Sequence, residues 1–162
     1  KRGNMIEIKK LDISKENLAM AKELTKEYSD SITLVNSDSV AYLNSYHGKQ
    51  IDLLYLDSWD YPYGELLDIY GGKIDIDKAI DILKALDDDE IIERHGDIVA
   101  ECQKHCLKEL HAGLPHLSPN GIILIDDGDL PGGGKARLAK EWLIKHKYTC
   151  ILDQYQSLWI KW

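Results

Sequence analysis

Cysteine is scarce, with only Cys102, Cys106 and Cys150 in 162 residues. Three thiols cannot all pair within one chain, and so few do not build a disulfide framework, which points to a reducing compartment. Cys102 and Cys106 lie one helical turn apart with His105 and His111 near, but a structural zinc site ordinarily takes four ligands and no second cysteine pair exists. Buried thiols and solvated histidines on one helix are the plainer reading. Positive charge is also short. Lys and Arg total 20 against 28 Asp and Glu, a net charge of −8, and no Lys/Arg-rich block offers to neutralise a phosphate backbone, which argues against nucleic acid as a partner. Long apolar runs are missing too: "IDLLYL" and "GIILI" fall far below the roughly 20 residues that span a bilayer, and no signal-peptide pattern opens the chain. These absences imply a soluble, cytoplasmic protein with no membrane partner. No internal repeat or low-complexity segment stands out, and 162 residues with 44% hydrophobic content fit one domain with a sizeable core.

What is present is alternation. "MIEIKKL" at 5–11 has the form of a short strand, and "DISKENLAMAKELTKEY" follows with a capping Ser14 and with Leu18, Ala21 and Leu24 at helical spacing. "SITLVNSD" is an apolar run ending in polar residues, "SVAYLNSY" a short helix, and "QIDLLYLD" a strand ending at Asp57. Residues 61–96 break the rhythm with a turn-rich stretch, "YPYGELLDIYGGKID", and then an acidic helical one. The expected place for such an insertion is over the edge where the strands end, like a lid. "DIVAECQKHCLKELHAGL" reads as a helix, "NGIILIDD" as a buried strand, "KARLAKEWLIKH" as a helix starting at Lys135, and "YTCILDQY" with "SLWIKW" as two closing strands. Alternating strands and helices predict an α/β fold: a Rossmann-like, doubly wound, mostly parallel sheet covered on both faces. The closing strands are separated by only one or two residues on this reading, so they must pair antiparallel, which predicts a hairpin with the reversed strand at the sheet edge.

In such a sheet the parallel strands deliver their carboxyl ends to one edge, where ligands bind. Four strands here end in acid: Asp12, Asp38, Asp57, and the pair Asp126 and Asp127. Carboxylates gathered there repel one another unless a cation or hydrogen-bond donors compensate, and an all-oxygen cluster suits Mg²⁺ or Ca²⁺ better than zinc. The neighbouring "PGGGK" suggests a phosphate cradle, but a Walker loop needs Gly at 129 and Ser or Thr at 136, where this chain has Asp129 and Ala136. The glycines are expected instead to turn the backbone tightly before the helix at Lys135.

The series "LDIS", "KENLAMAKEL", "ITLVNSDS", "IDLLYLDSWDY" and "LSPNGIILIDDGDLPGG", closed by a strand pair after "KHKYTC", resembles the class I S-adenosylmethionine-dependent methyltransferases over nearly the whole chain. Within them it is similar to the metal-dependent O-methyltransferases of the catechol and caffeoyl-CoA type and of the macrocin and sugar type. The resemblance implies that Asp57, Asp126 and Asp127 hold Mg²⁺, and that Asp12 accepts hydrogen bonds from the ribose hydroxyls of S-adenosylmethionine. It further implies that Asp38 or Ser39 meets the adenine edge, and that Trp59, with Asp57 beside it, packs by the cofactor; a strand-end aromatic is also often simply core. Asp60 lies where the catechol enzymes carry a lysine and is the expected general base, with His95 on the insertion as the alternative. The implied reaction is methyl transfer to a hydroxyl of a small molecule, with a sugar preferred over a catechol because the Asp-Asp pair resembles the sugar enzymes more.

Two departures stand against the resemblance. The family's first strand and its glycine-rich loop should precede Met5, and "KRGN" cannot supply them, so the chain is expected to be part of a longer one whose sheet is incomplete without it. The long insertion at 61–96 leaves the acceptor open. A dinucleotide-dependent oxidoreductase competes through Asp12 but lacks its own glycine fingerprint and does not explain Asp126 and Asp127. A degenerate methyltransferase-like module serving as a binding or scaffolding domain also competes, although retention of all three acidic residues is awkward for it. Trp159 and Trp162 suit either the core or a homo-oligomer interface.

Overall fold

A computed structural model describes residues 6–57 and 88–162. The chain is α/β and divides into two compact units, Lys1–His47 and Gly48–Trp162. The expected positions Trp59 and Asp60, and the stretch 61–87 of the insertion, lie outside the described residues.

In the first unit, β1 (Ile8–Asp12) and β2 (Ile32–Asn36) form a two-stranded parallel sheet in which Asp12 is paired with Asn36. The crossover between them is α1 (Lys15–Leu24), which starts where it does because the Ser14 hydroxyl accepts the backbone N–H of Asn17 at 3.1 Å and satisfies one of the orphan donors of the first turn. Asp12 Oδ1 accepts the Ser14 N–H at 2.8 Å and folds the strand into that cap. Of the apolar stripe at 18, 21 and 24 only Ala21 is buried, while Leu24 is exposed. A short helix α2 (Ser39–Asn44) follows β2, capped by Asp38, whose Oδ1 accepts the Ala41 N–H at 2.8 Å.

The second unit holds β3 (Ile51–Leu56), α3 (Asp88–Gly113), β4 (Leu117–Ile125), α4 (Arg137–Lys145), β5 (Thr149–Asp153) and β6 (Ser157–Ile160). Its sheet runs in the order β3-β4-β6-β5, with β3 and β4 parallel and β6 antiparallel to both of its neighbours. The β5–β6 hairpin is therefore as expected, but the reversed strand is inside the sheet and β5 is the edge. Burial explains the order: Ser157 and Trp159 of β6 are buried and need a neighbour on each side, whereas every residue of β5 is exposed. The joining turn has three residues, 154–156, closed by the Gln154 N–H donating to the Gln156 carbonyl at 3.1 Å.

Helix α3 begins nine residues before the expected start at 97 and takes in the end of the insertion. Its inward stripe, Val99, Cys102, Gln103, Cys106, Glu109 and Leu110, follows the 3.6-residue period. It packs on α4, which begins at Arg137 rather than at Lys135 and buries Ala139 and Leu143. Leu54, Leu56, Ile123, Ile125 and Trp159 complete the core. Among the described residues no helix is long and apolar enough to cross a membrane.

Candidate functional site

Because β3 and β4 are parallel neighbours in register from Leu53↔Ile122 to Leu56↔Ile125, the residues just past them emerge side by side. The Asp126 N–H donates to the Leu56 carbonyl at 3.1 Å and carries the pairing one step beyond the strands. Asp57, Asp126 and Asp127 thus meet at one edge of the second unit. Asp126 and Asp127 are buried, while the Asp57 side chain is 44% exposed.

At the centre of these acids lies a residue that the sequence reading left as a helix start. The Lys135 ammonium donates to Asp57 Oδ1 at 2.8 Å and sits 3.2 Å from Asp127 Oδ2, and its side chain is 1% exposed. Burial pulls its pKa down, but the hydrogen bond it donates to Asp57 and the charges of Asp127 and Asp57 outweigh burial and hold the ammonium above its ordinary value. Lys135 is a fixed positive charge.

Asp126 is placed differently. Its Oδ1 is buried with no hydrogen-bond partner among the described residues. Burial pushes its carboxyl above the usual carboxylate range; Gln156 draws it back, and the adjacent Asp57 pushes it further up. Tyr55, one pleat before Asp57, is raised for the same reasons, burial first and then the charges of Asp57 and Asp126, and its hydroxyl accepts from Gln156 Nε2 at 3.2 Å. Among the described residues the ammonium reaches Asp57 and Asp127 and not Asp126. This donor set is all oxygen and suits a hard divalent cation, for which the orphaned Asp126 Oδ1 is a ready ligand. Among the described residues no three acidic, His or Cys side chains converge on one metal-sized position. The ammonium is in contact with both Asp57 and Asp127.

The loop that brings Lys135 in is built by the glycines. Gly132, Gly133 and Gly134 have φ of 70°, 78° and 55°, all in the left-handed region, and Asp127 itself is at 54°. The buried Gln103 of α3 donates from Nε2 to the carbonyls of Gly132, at 3.1 Å, and Gly134, at 3.0 Å. The Gly128 N–H donates to the Tyr155 carbonyl at 2.7 Å, which ties the same loop to the β5–β6 turn. "PGGGK" is thus a carrier for an ammonium rather than a phosphate cradle. The missed signal was the lysine itself: a lone Lys after glycines, beside strand-end acids, matches their charge.

Asp12, Asp38 and Ser39 belong to the first unit. Asp12 is half-buried and gives one oxygen to its turn, which leaves a carboxylate further acceptor capacity. Asp38 is exposed and caps α2, and Ser39 is the first residue of that helix. The side chain of His95 lies outside the described residues, although its backbone belongs to α3. Cys102 and Cys106 are buried on α3, and burial pushes their thiols up to about 11 and about 12, so they are neither ready ligands nor nucleophiles. No family model, curated protein or solved structure matches the chain.

Proposed function

We propose that this chain carries a methyltransferase activity of the S-adenosylmethionine-dependent kind on a Rossmann-like fold, acting on a hydroxyl of a small molecule, with a sugar as the preferred acceptor and Mg²⁺ as the assisting ion. The observation that carries the reading is the meeting of Asp57 with Asp126 and Asp127 past two parallel neighbouring strands, with one buried oxygen, Asp126 Oδ1, unbonded among the described residues. Asp57, Asp126 and Asp127 would hold the ion. Bound there, it would lower the pKa of an acceptor hydroxyl, a poor nucleophile near neutral pH, and orient it for attack on the sulfonium methyl.

The chain's own residues supply the rest. Asp12, held by the Ser14 N–H, presents acceptor oxygens suited to two vicinal ribose hydroxyls. Asp38 and Ser39 at the start of α2 are assigned to the adenine edge, and Trp59 to packing beside the cofactor. Asp60 is assigned as the base that removes the hydroxyl proton, with His95 as the alternative. Gln156 and Tyr55 form a polar rim next to Asp126 that can orient the acceptor.

Calorimetric titration of S-adenosylhomocysteine into the full chain, with and without Mg²⁺, tests the reading. Binding is the expected result, and its absence would remove the enzyme reading in favour of a binding or scaffolding module. Methyl transfer that persists unchanged in chelator and in Asp126→Ala would remove the metal role alone.

A further inference from the structure

Lysine is among the residues least often fully buried, and its ammonium is costly to desolvate. Lys135 is nonetheless enclosed, with three left-handed glycines and two hydrogen bonds from Gln103 shaping the loop that encloses it. Its Nζ reaches the two carboxylates that come from different strands, Asp57 after β3 and Asp127 after β4, and leaves Asp126 unserved. The shorter of the two contacts, 2.8 Å against 3.2 Å, is to the half-exposed Asp57.

We propose that Lys135 is a tethered ammonium standing in for the divalent cation: it holds Asp57 and Asp127 together when the ion is away, and competes with the ion for them. This rests on the metal reading above. Among the described residues the ammonium reaches two of the three carboxyl groups and Asp126 Oδ1 has no hydrogen bond, so an acceptor oxygen is left for a divalent ion; that ion must displace the ammonium from at least one carboxylate, because two cations cannot share the same lone pairs without repulsion. The arrangement keeps the site folded and lowers its hold on the ion, so that the ion exchanges with solvent.

The test uses the full chain as wild type and as Lys135→Met, which keeps the length of the side chain and removes its charge. Mn²⁺ alone is the probe, its free concentration read by electron paramagnetic resonance, and melting temperatures are taken with and without it. The expected result is that Lys135→Met binds Mn²⁺ more tightly by about tenfold or more, the effect of removing one like charge at hydrogen-bond distance in a partly buried site. Its melting temperature should fall in chelator and recover in Mn²⁺ more than that of the wild type changes. Equal or weaker Mn²⁺ binding by folded Lys135→Met overturns the proposal, as does failure of both proteins to bind Mn²⁺. If Lys135→Met does not fold in chelator, Lys135→Gln is read alongside it: recovery of either in Mn²⁺ supports the proposal, and failure of both to fold in saturating Mn²⁺ overturns it. S-adenosylhomocysteine titrated into the wild type judges the methyltransferase reading separately, since the Mn²⁺ comparison does not depend on it.

Discussion

Backbone conformation decides where the charges of the site end up, and it does so at single residues. Asp127 sits at φ 54°, a region that Asp tolerates better than most residues, and its carbonyl oxygen packs directly against Gly134. A Cβ on Gly134 would collide with that oxygen, and the residue's own φ of 55° disfavours any side chain. Backbone on both sides leaves little room to give. Gly134→Ala is therefore expected to cost more than about 3 kcal/mol, well beyond an ordinary surface change, and to displace Lys135 from Asp57. Urea unfolding of the variant checks the first part. At Gly133 the atoms nearest an added Cβ are Cβ, Cγ and Cδ of Arg137, at 3.0, 3.2 and 3.3 Å and not backbone, so the steric part of the penalty at Gly133→Ala is expected to be smaller than at Gly134.

Among the elements, α3 does two jobs with one stripe. Its apolar positions, Val99, Cys102, Cys106 and Leu110, fill the core under the sheet. Gln103, on the same stripe, sends its amide into the glycine loop, where it donates to two carbonyls of a tight turn. Gln103→Leu keeps the volume and removes both of these bonds to the loop. The expected loss is about 1–3 kcal/mol, seen as a lower urea midpoint with little change in slope. A second consequence is weaker holding of the Lys135 loop, which the Mn²⁺ affinity of the same variant would register.

On the scale of the whole molecule, burial is unevenly spread. The first unit buries only Ala21 and Leu43 among its described residues, while the second encloses a continuous core from Leu54 to Trp159. Amide hydrogen exchange is expected to be faster in β1 and β2 than in β4 and β6, because local opening costs less where little apolar surface is covered. Equal protection in the two units would contradict this. The three thiols offer an independent readout. Cys150 is exposed, and Cys102 and Cys106 are buried, so in the native protein a thiol reagent should modify one residue quickly and the other two only on opening of the second unit. Burial raises Cys102 from 9.0 to about 11 and Cys106 from 9.0 to about 12. Their contribution to stability is therefore constant below pH about 9 and is lost as the pH climbs toward 11, since the unfolded chain then ionises first. A melting temperature falling across that alkaline window is the expected result.

The sequence by itself determined the local pieces: the capped start of α1 at Ser14, the strand ending at Asp57, the buried run ending at Asp126 and Asp127, and the antiparallel closing pair. Each is written in neighbouring residues, through hydrophobic period, capping chemistry or turn length. Tertiary structure alone decided the rest. It set β6 between β4 and β5, because only the assembled sheet shows which strand buries Trp159. It also drew Lys135 between Asp57 and Asp127, a partnership across 78 positions of sequence that no local pattern encodes. That contact depends on two strands being neighbours, three glycines turning left-handed and one glutamine bracing them. Charge complementarity selects the partners only after packing has brought them within reach.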